Sequence, residues 1–277
     1  MSAPTSVVVI VGVGGMGELI ARRQGAGRKL LIADFNQTAL TSVADALSGE
    51  GFNVVTSQVD VSDAASVTAL AAQAAALGSV DQVIHTAGLS PAQASKEAIL
   101  AVDLLGVAHT LDAFADVIAP GGAGVVIASM AGLFAQGRLP AEVEAALATT
   151  PTAQLASLPI FAHLPDGGQA YSIAKRANQV RVAAASIAWG ARGARVNSIS
   201  PGVISTPMGA EELASESGAG MRAMIQASGT GRVGTPADIA AATAFLLSSE
   251  ASFITGTDLA VDGGVVAAVR SGALTLG

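Results

Sequence analysis

The chain alternates between two hydrophobic rhythms. Short, nearly continuous apolar runs read as strands buried on both faces: Val7–Val11, Lys29–Ala33, Asn53–Gln58, Gln82–His85, Gly124–Ala128, Arg195–Ile199 and Asp258–Val261. Between them lie Ala-rich stretches with apolar positions at helical spacing. One follows a Gly loop and runs to about Gln24; others span Gln37–Leu47, Ala64–Ala76, Glu97–Ile118, Tyr171–Trp189 and Pro236–Leu247. Strand and helix in strict alternation predict an α/β fold, a doubly wound parallel sheet of the Rossmann type. Its crossovers are right-handed, and helices cover both faces. No linker or internal repeat interrupts the pattern, so a single domain spanning 1–277 is expected.

One segment breaks the rhythm. About forty residues, Ala131–Ala170, separate the fifth strand from the next long helix, far beyond the ~2–6 residues usual for such connections. This predicts an inserted lid, with a helix over Pro140–Ala148 opened by its proline. A second irregular stretch, about 203–230, precedes the last helix and is expected to form a substrate loop.

Composition narrows the chemistry. With no cysteine there is no disulfide, thiolate metal site or cysteine nucleophile. His85, His109 and His163 lack metal-ligand spacing, so no metal is expected. Net charge is −7 and the basic residues are scattered, which argues against nucleic acid or an anionic membrane as partner. No uninterrupted apolar run reaches the ~18 residues needed to span a bilayer. The apolar start "VVVIV" has no basic residue before it and a Gly cluster behind it, so it reads as a strand rather than a signal peptide. A cytoplasmic protein is the expectation.

The first turn reads Gly12-Val13-Gly14-Gly15-Met16-Gly17, between a strand and a helix. Glycines there permit a tight turn and let a pyrophosphate approach the N–H groups at the helix start; a plain tight turn is the bland alternative. Asp34 ends the second strand and could accept hydrogen bonds from the adenosine ribose, which would disfavour a 2′-phosphate and select NAD. Phe35 follows, so no arginine offers a phosphate partner. A helix N-terminal or loop carboxylate is the bland alternative for Asp34. Asp60, followed by Val61, could bond an adenine amino group or cap a helix. In "HTAG", Ala87 and Gly88 would let backbone pack against a cofactor, while His85 reads as structural.

The only tyrosine, Tyr171, stands four residues before Lys175, one of three lysines. That spacing puts both on one helix face. A nearby ammonium favours phenolate, so Lys175 is expected to draw the Tyr171 pKa down from about 10. Such a phenol can exchange a proton with a substrate oxygen. Ser129, at the end of the fifth strand, sits where open α/β sheets place their chemistry.

These residues together resemble the short-chain dehydrogenase/reductase family from Val7 to about Val265. "YSIAK" matches its Tyr-x-x-x-Lys motif, "IASMAG" its serine strand, "NSISPGVISTPM" its Pro-Gly element and Gly231–Gly264 its C-terminal signature. The resemblance implies hydride exchange between NAD and a secondary alcohol or ketone, with Ser129, Tyr171 and Lys175 catalytic. It also implies that Pro201, Gly202, Ile204 and Thr206 hold the nicotinamide end, with Lys175 on its ribose. The chain departs from the family in three ways. Its Gly loop is one residue shorter, with Val11 for threonine. Asp103 stands at the family's helix-four asparagine, where it would extend a proton path through water. The third departure is the insertion, which is similar to that of bacterial hydroxysteroid dehydrogenase/carbonyl reductases. Apolar residues in the insertion (Leu133, Phe134, Leu139, Phe161) and substrate loop (Met208, Met221, Met224, Ile225) suggest an apolar, alicyclic or steroid-like substrate, unless they only pack the lid against itself. Family members pair through the helices at Glu97–Ile118 and Tyr171–Trp189, which the insertion could cover. A homodimer is therefore expected, with a homotetramer second. A regulator without turnover and an epimerase or dehydratase remain the alternatives.

Overall fold

The computed structural model describes residues 5–275. Its sheet has seven parallel strands: β1 (Ser6–Val11), β2 (Lys29–Asp34), β3 (Asn53–Gln58), β4 (Ser79–His85), β5 (Ile118–Ile127), β6 (Arg195–Pro201) and β7 (Asp258–Val261). Their spatial order is β3-β2-β1-β4-β5-β6-β7. Winding runs outward from β1 in one direction and from β4 in the other. The strand ends between β1 and β4 therefore open onto the crevice where such sheets bind ligands.

Each sheet face buries its own core. On one side Val7, Val9, Leu31 and Val126 pack under α3 (Ala64–Leu77), α4 (Lys96–Ala115) and the long α9 (Gly167–Ala191). Gly124 lacks the side chain that would strike the Trp189 ring, so this indole packs closely on β5 and donates from Nε1 to Leu111 O at 3.1 Å. On the other side Val8, Ile10, Ile32 and Ile199 pack under α1 (Gly15–Gln24), α2 (Gln37–Gly49) and α11 (Pro236–Leu247). Helix α4 has twenty residues and a mean hydropathy of 1.6, enough by length and composition to cross a membrane. Half of it is buried, with Val107, Leu111 and Phe114 in the core.

Three boundaries differ from the sequence expectation. Helix α4 stops at Ala115, and Ile118 already pairs with Val80 in the sheet. The break comes from Pro120–Gly122, where Gly121 takes φ +82° and the register slips before Ala123 rejoins opposite Gln82. Helix α9 starts at Gly167 rather than Tyr171, because the Asp166 carboxylate caps it by accepting from Gln169 N. Strand β5 ends at Ile127, and Ser129 instead caps α5 (Met130–Ala135), its Oγ accepting from Ala131 N.

The insertion forms α5, α6 (Ala141–Thr149), α7 (Thr152–Leu155) and α8 (Pro159–Ala162). These helices build a third core with α4 and α9, in which Leu147, Leu155 and Phe161 meet Ile99, Leu104 and Ala174. Arg176 clamps the insertion through Glu144, at 2.7 and 3.0 Å, and Arg181 donates to Leu147 O and Thr150 O. The inserted residues thus lie over the face of α4 and α9, as their position in the chain suggested.

Candidate active site

The site sits at the C-terminal ends of β1, β4, β5 and β6, in a cleft of about 580 Å³. Asp103, Ser129, Tyr171 and Lys175 all line it, together with Met16, Gly88, Pro201, Gly202, Ile204 and Thr206.

Tyr171 and Lys175 share one face of α9, and the Lys175 ammonium lies 5.4 Å from the centre of the phenol ring. Lys175 is almost wholly buried and approaches Ile127 O at 3.4 Å. Its counter-charge is Asp103, fully buried, with Oδ1 at 2.8 Å from Nζ. Asp103 sits in a π-helical turn of α4, Leu100–Leu105, a wider turn of the kind often found at functional sites. Its Oδ2 accepts from Leu89 N at 2.9 Å. Gly88 makes this approach possible, since a Cβ there would stand 2.7 Å from Asp103 Oδ1 and 3.3 Å from Lys175 Nζ.

The Ser129 hydroxyl lies beside the Tyr171 phenol. Two contacts that the sequence did not point to place it there. Gly132 packs without a side chain against the backbone of Lys175 and Arg176, drawing α5 onto α9. Gln179 donates from Nε2 to Ser129 O and to Ser200 Oγ, at 3.3 and 2.8 Å. Both residues lie one or two turns from motif positions, which is the only hint the sequence holds.

Electrostatics corrects one expectation. Tyr171 is raised above the usual phenol value, not lowered. Burial is the largest cause, Lys175 opposes it, and Asp103 and the nearby Glu212 add to it. Burial also opposes the charge on Lys175, but Asp103 and Tyr171 outweigh it and hold the ammonium proton more tightly than usual. Burial raises Asp103 against the pull of that ammonium. His85 is structural: burial lowers its pKa to about 3, and its Nδ1 lies 3.0 Å from Thr110 Oγ1.

The glycine turn is built from β1 into α1. Gly12 has φ +96°, and a Cβ there would stand 2.5 Å from Ala87 N. Gly17 must also be bare, because its Cβ would strike Gly12 O. The Thr86 hydroxyl donates to Gly12 O at 2.7 Å and ties the turn to β4. Gly14 opens α1 with no side-chain cap and nothing within 4 Å of where a Cβ would be. Gly15 faces Thr206, and Met16 reaches the cleft. Uncapped N–H groups beside a bare cradle suit a pyrophosphate. The residues present thus fit a nicotinamide dinucleotide.

Asp34, Phe35, Asp60, Val61 and Ala87 lie along the same strand edge but outside the lining of the cleft. Asp34 accepts from Val13 N and Asn36 N, both at 2.8 Å, so its carboxylate braces the glycine turn. Phe35 is exposed. Asp60 uses Oδ1 to accept from both the N–H and the hydroxyl of Ser62. Val61 is buried against Gly106, with its carbonyl 3.0 Å from the His109 ring.

Of the apolar residues expected to flank the site, Phe134, Met208, Met221 and Met224 line the cleft. Leu139 and Phe161 instead pack the insertion against α4 and α9, and Ile225 faces a separate cavity near Arg232. Leu133 does not line the cleft.

Comparison with known proteins agrees with this geometry. The family described as short chain dehydrogenase matches residues 6–141, and that described as Enoyl-(Acyl carrier protein) reductase matches 154–266. A short-chain dehydrogenase/reductase of Alternaria brassicicola is 41% identical, covering 95% of this chain and 96% of that protein. Galactitol 2-dehydrogenase (L-tagatose-forming) of Cereibacter sphaeroides is 30% identical over 92% of both chains. 3beta-hydroxysteroid dehydrogenase 1 of Eggerthella lenta is 30% identical, covering 94% and 93%. Kinship with named dehydrogenases favours an alcohol/ketone oxidoreductase using a nicotinamide dinucleotide over a silent regulator or an epimerase. The chain belongs to the short-chain dehydrogenase/reductase family.

Proposed function

We propose that this protein interconverts a secondary alcohol and a ketone with NAD, on a substrate that is largely apolar and alicyclic or steroid-like. The observation that carries the reading is the convergence of Ser129, Tyr171 and Lys175 in one cleft. The nicotinamide cofactor, when bound, supplies or accepts the hydride. Gly14, Gly15 and Met16 would hold its pyrophosphate, and Ile204 and Thr206 its carboxamide. Tyr171 exchanges the proton of the reacting oxygen, and Ser129 donates a hydrogen bond that stabilises charge developing there. Lys175 favours the phenolate and is held charged by Asp103. Phe134 and the three methionines supply an apolar wall that can adapt to a rigid ring system.

The test is to incubate the protein with NAD or NADP and panels of alicyclic alcohols, steroids and polyols, following reduced cofactor by absorbance. Turnover of alicyclic alcohols with NAD is expected. Turnover confined to small polyols rejects the apolar cleft, and no turnover with any panel rejects the reading. Selectivity rests on Asp34, whose charge would repel a 2′-phosphate. Asp34→Ala should narrow the NAD preference about tenfold and raise KM for both cofactors, because Val13 N loses its acceptor. A wild-type kcat/KM for NADP equal to that for NAD counts against this assignment.

The insertion covers α4 and α9, leaving the opposite edge at β7 for assembly. A homodimer is the proposed state. Light scattering that finds a tetramer at micromolar concentration would overturn it.

A further inference from the structure

The cleft carries two carboxylates to which the proposed reaction assigns no role. Glu212, on α10 (Pro207–Ala214), lines it, as does Glu216 just beyond that helix. Among the described residues lining the cleft, Lys175 is the only base, and it is already paired with Asp103. No salt bridge reaches Glu212 among the described residues. Its position is fixed from outside: the neighbouring Glu211 accepts from Gln93 Nε2 at 2.7 Å, which latches α10 to the loop after β4. That loop brings the fully buried Ser90 hydroxyl beside the Glu212 carboxyl, with no bond of good geometry to occupy it. Burial raises the Glu212 pKa and outweighs the opposing pull of the Ser90 hydroxyl and the Lys175 ammonium. The rest of the wall here is apolar, from Phe134, Met208, Met221 and Met224.

We infer that Glu212 determines specificity by receiving a hydrogen-bond donor, a hydroxyl or an ammonium, carried as a second substituent on an otherwise apolar alcohol or ketone. The same carboxylate rejects a substrate with a carboxylate or phosphate at that position. A partly buried carboxylate loses water on substrate entry, and only a donor restores what is lost. An anion would meet Glu212 and Glu216 with no free base to offset them. This inference rests on the dehydrogenase reading, deepening it to a substrate class.

The experiment compares 4-substituted cyclohexanols and 6-substituted decalin-2-ols carrying ammonium, hydroxyl, methyl or carboxylate. Each is assayed for kcat/KM with wild type, Glu212→Gln and, as a control outside the cleft, the exposed Glu250→Gln. Wild type and Glu250→Gln should favour a donor over methyl by roughly ten- to a hundredfold and place carboxylate last. The ammonium and hydroxyl arms identify which donor is preferred. Glu212→Gln should abolish the ammonium advantage and relieve the carboxylate penalty. Equal kcat/KM for donor and methyl compounds in the wild type, or an unchanged ranking in Glu212→Gln, overturns the inference. Calorimetric titration of the same alcohols into the NADH-saturated protein, where no hydride acceptor is present, supplies a second ranking. Absence of turnover would defeat the dehydrogenase reading, whereas a flat binding series would defeat the role of Glu212.

Discussion

Tyr171→Phe should lower kcat for alcohol oxidation by about 10²–10⁴-fold, with cofactor affinity nearly unchanged. Phenylalanine keeps the ring that packs beside the insertion core and under the Lys175 ammonium, so the variant should fold. What it removes is the chain's only phenol. Ser129 cannot replace it, since an alcohol is far too weak an acid to serve as the proton-exchanging group near neutral pH. The wild-type pH profile provides the internal control. Burial raises Tyr171, so the phenolate needed to accept a proton from the alcohol forms only on the alkaline side. Oxidation should therefore accelerate as pH rises, while ketone reduction, which needs the phenol, should hold at lower pH. Tyr171→Phe should abolish this opposition. Steady-state rates in both directions, with cofactor binding followed by fluorescence, test the assignment. Wild-type kcat in the variant would remove Tyr171 from the mechanism.

The architecture was readable because its signals are local and repeated. Runs such as Val7–Val11 and Lys29–Ala33 are buried on both faces and carry the strand signal without help from context. Boundaries were less legible where a single polar group decides them. Asp166 caps α9 five residues before Tyr171, but two glycines follow it and weaken the helical signal. Ile118 has the composition of a helix end, and only Pro120 and the turn at Gly121 put it in the sheet. In the site, Ser129, Tyr171 and Lys175 could be picked out because their types and spacing carry the chemistry. Gly132, Gln179 and Glu212 could not, because each acts through a contact between elements that no sequence period encodes. The direction of the Tyr171 shift is hidden for the same reason: Lys175 is visible four residues away, whereas the burial that outweighs it comes from the rest of the fold. The apolar lid residues divided likewise. Phe134 reaches the cleft, but Leu139 and Phe161 fill the gap over α4 and α9, which only the path of the insertion determines.

Asp103→Ala should destabilise the protein by about 3–5 kcal/mol, measured as a shift in the denaturation midpoint at constant slope. The cause is the charge left behind: Lys175 is nearly inaccessible, and its partner at 2.8 Å would be gone. Removing both charges in Asp103→Ala/Lys175→Met should recover much of that stability, because no buried ion remains unpaired. Its activity should stay low, since Tyr171 then lacks its cation. Stability recovered without activity separates the structural role of the pair from its effect on the phenol. Asp103→Asn is the finer probe. The two carboxylate oxygens face two donors, Lys175 Nζ and Leu89 N–H. An asparagine offers one acceptor oxygen, so its NH₂ would face one of those donors. Some stability should be lost, but less than with alanine. The same change removes one of the negative charges that raise Tyr171. Its pKa should therefore fall, and the rising limb of alcohol oxidation should move to lower pH. A pH–rate profile of Asp103→Asn that keeps the wild-type limb, alongside an Asp103→Ala midpoint equal to wild type, would show that this pair neither tunes the phenol nor holds α4 to α9.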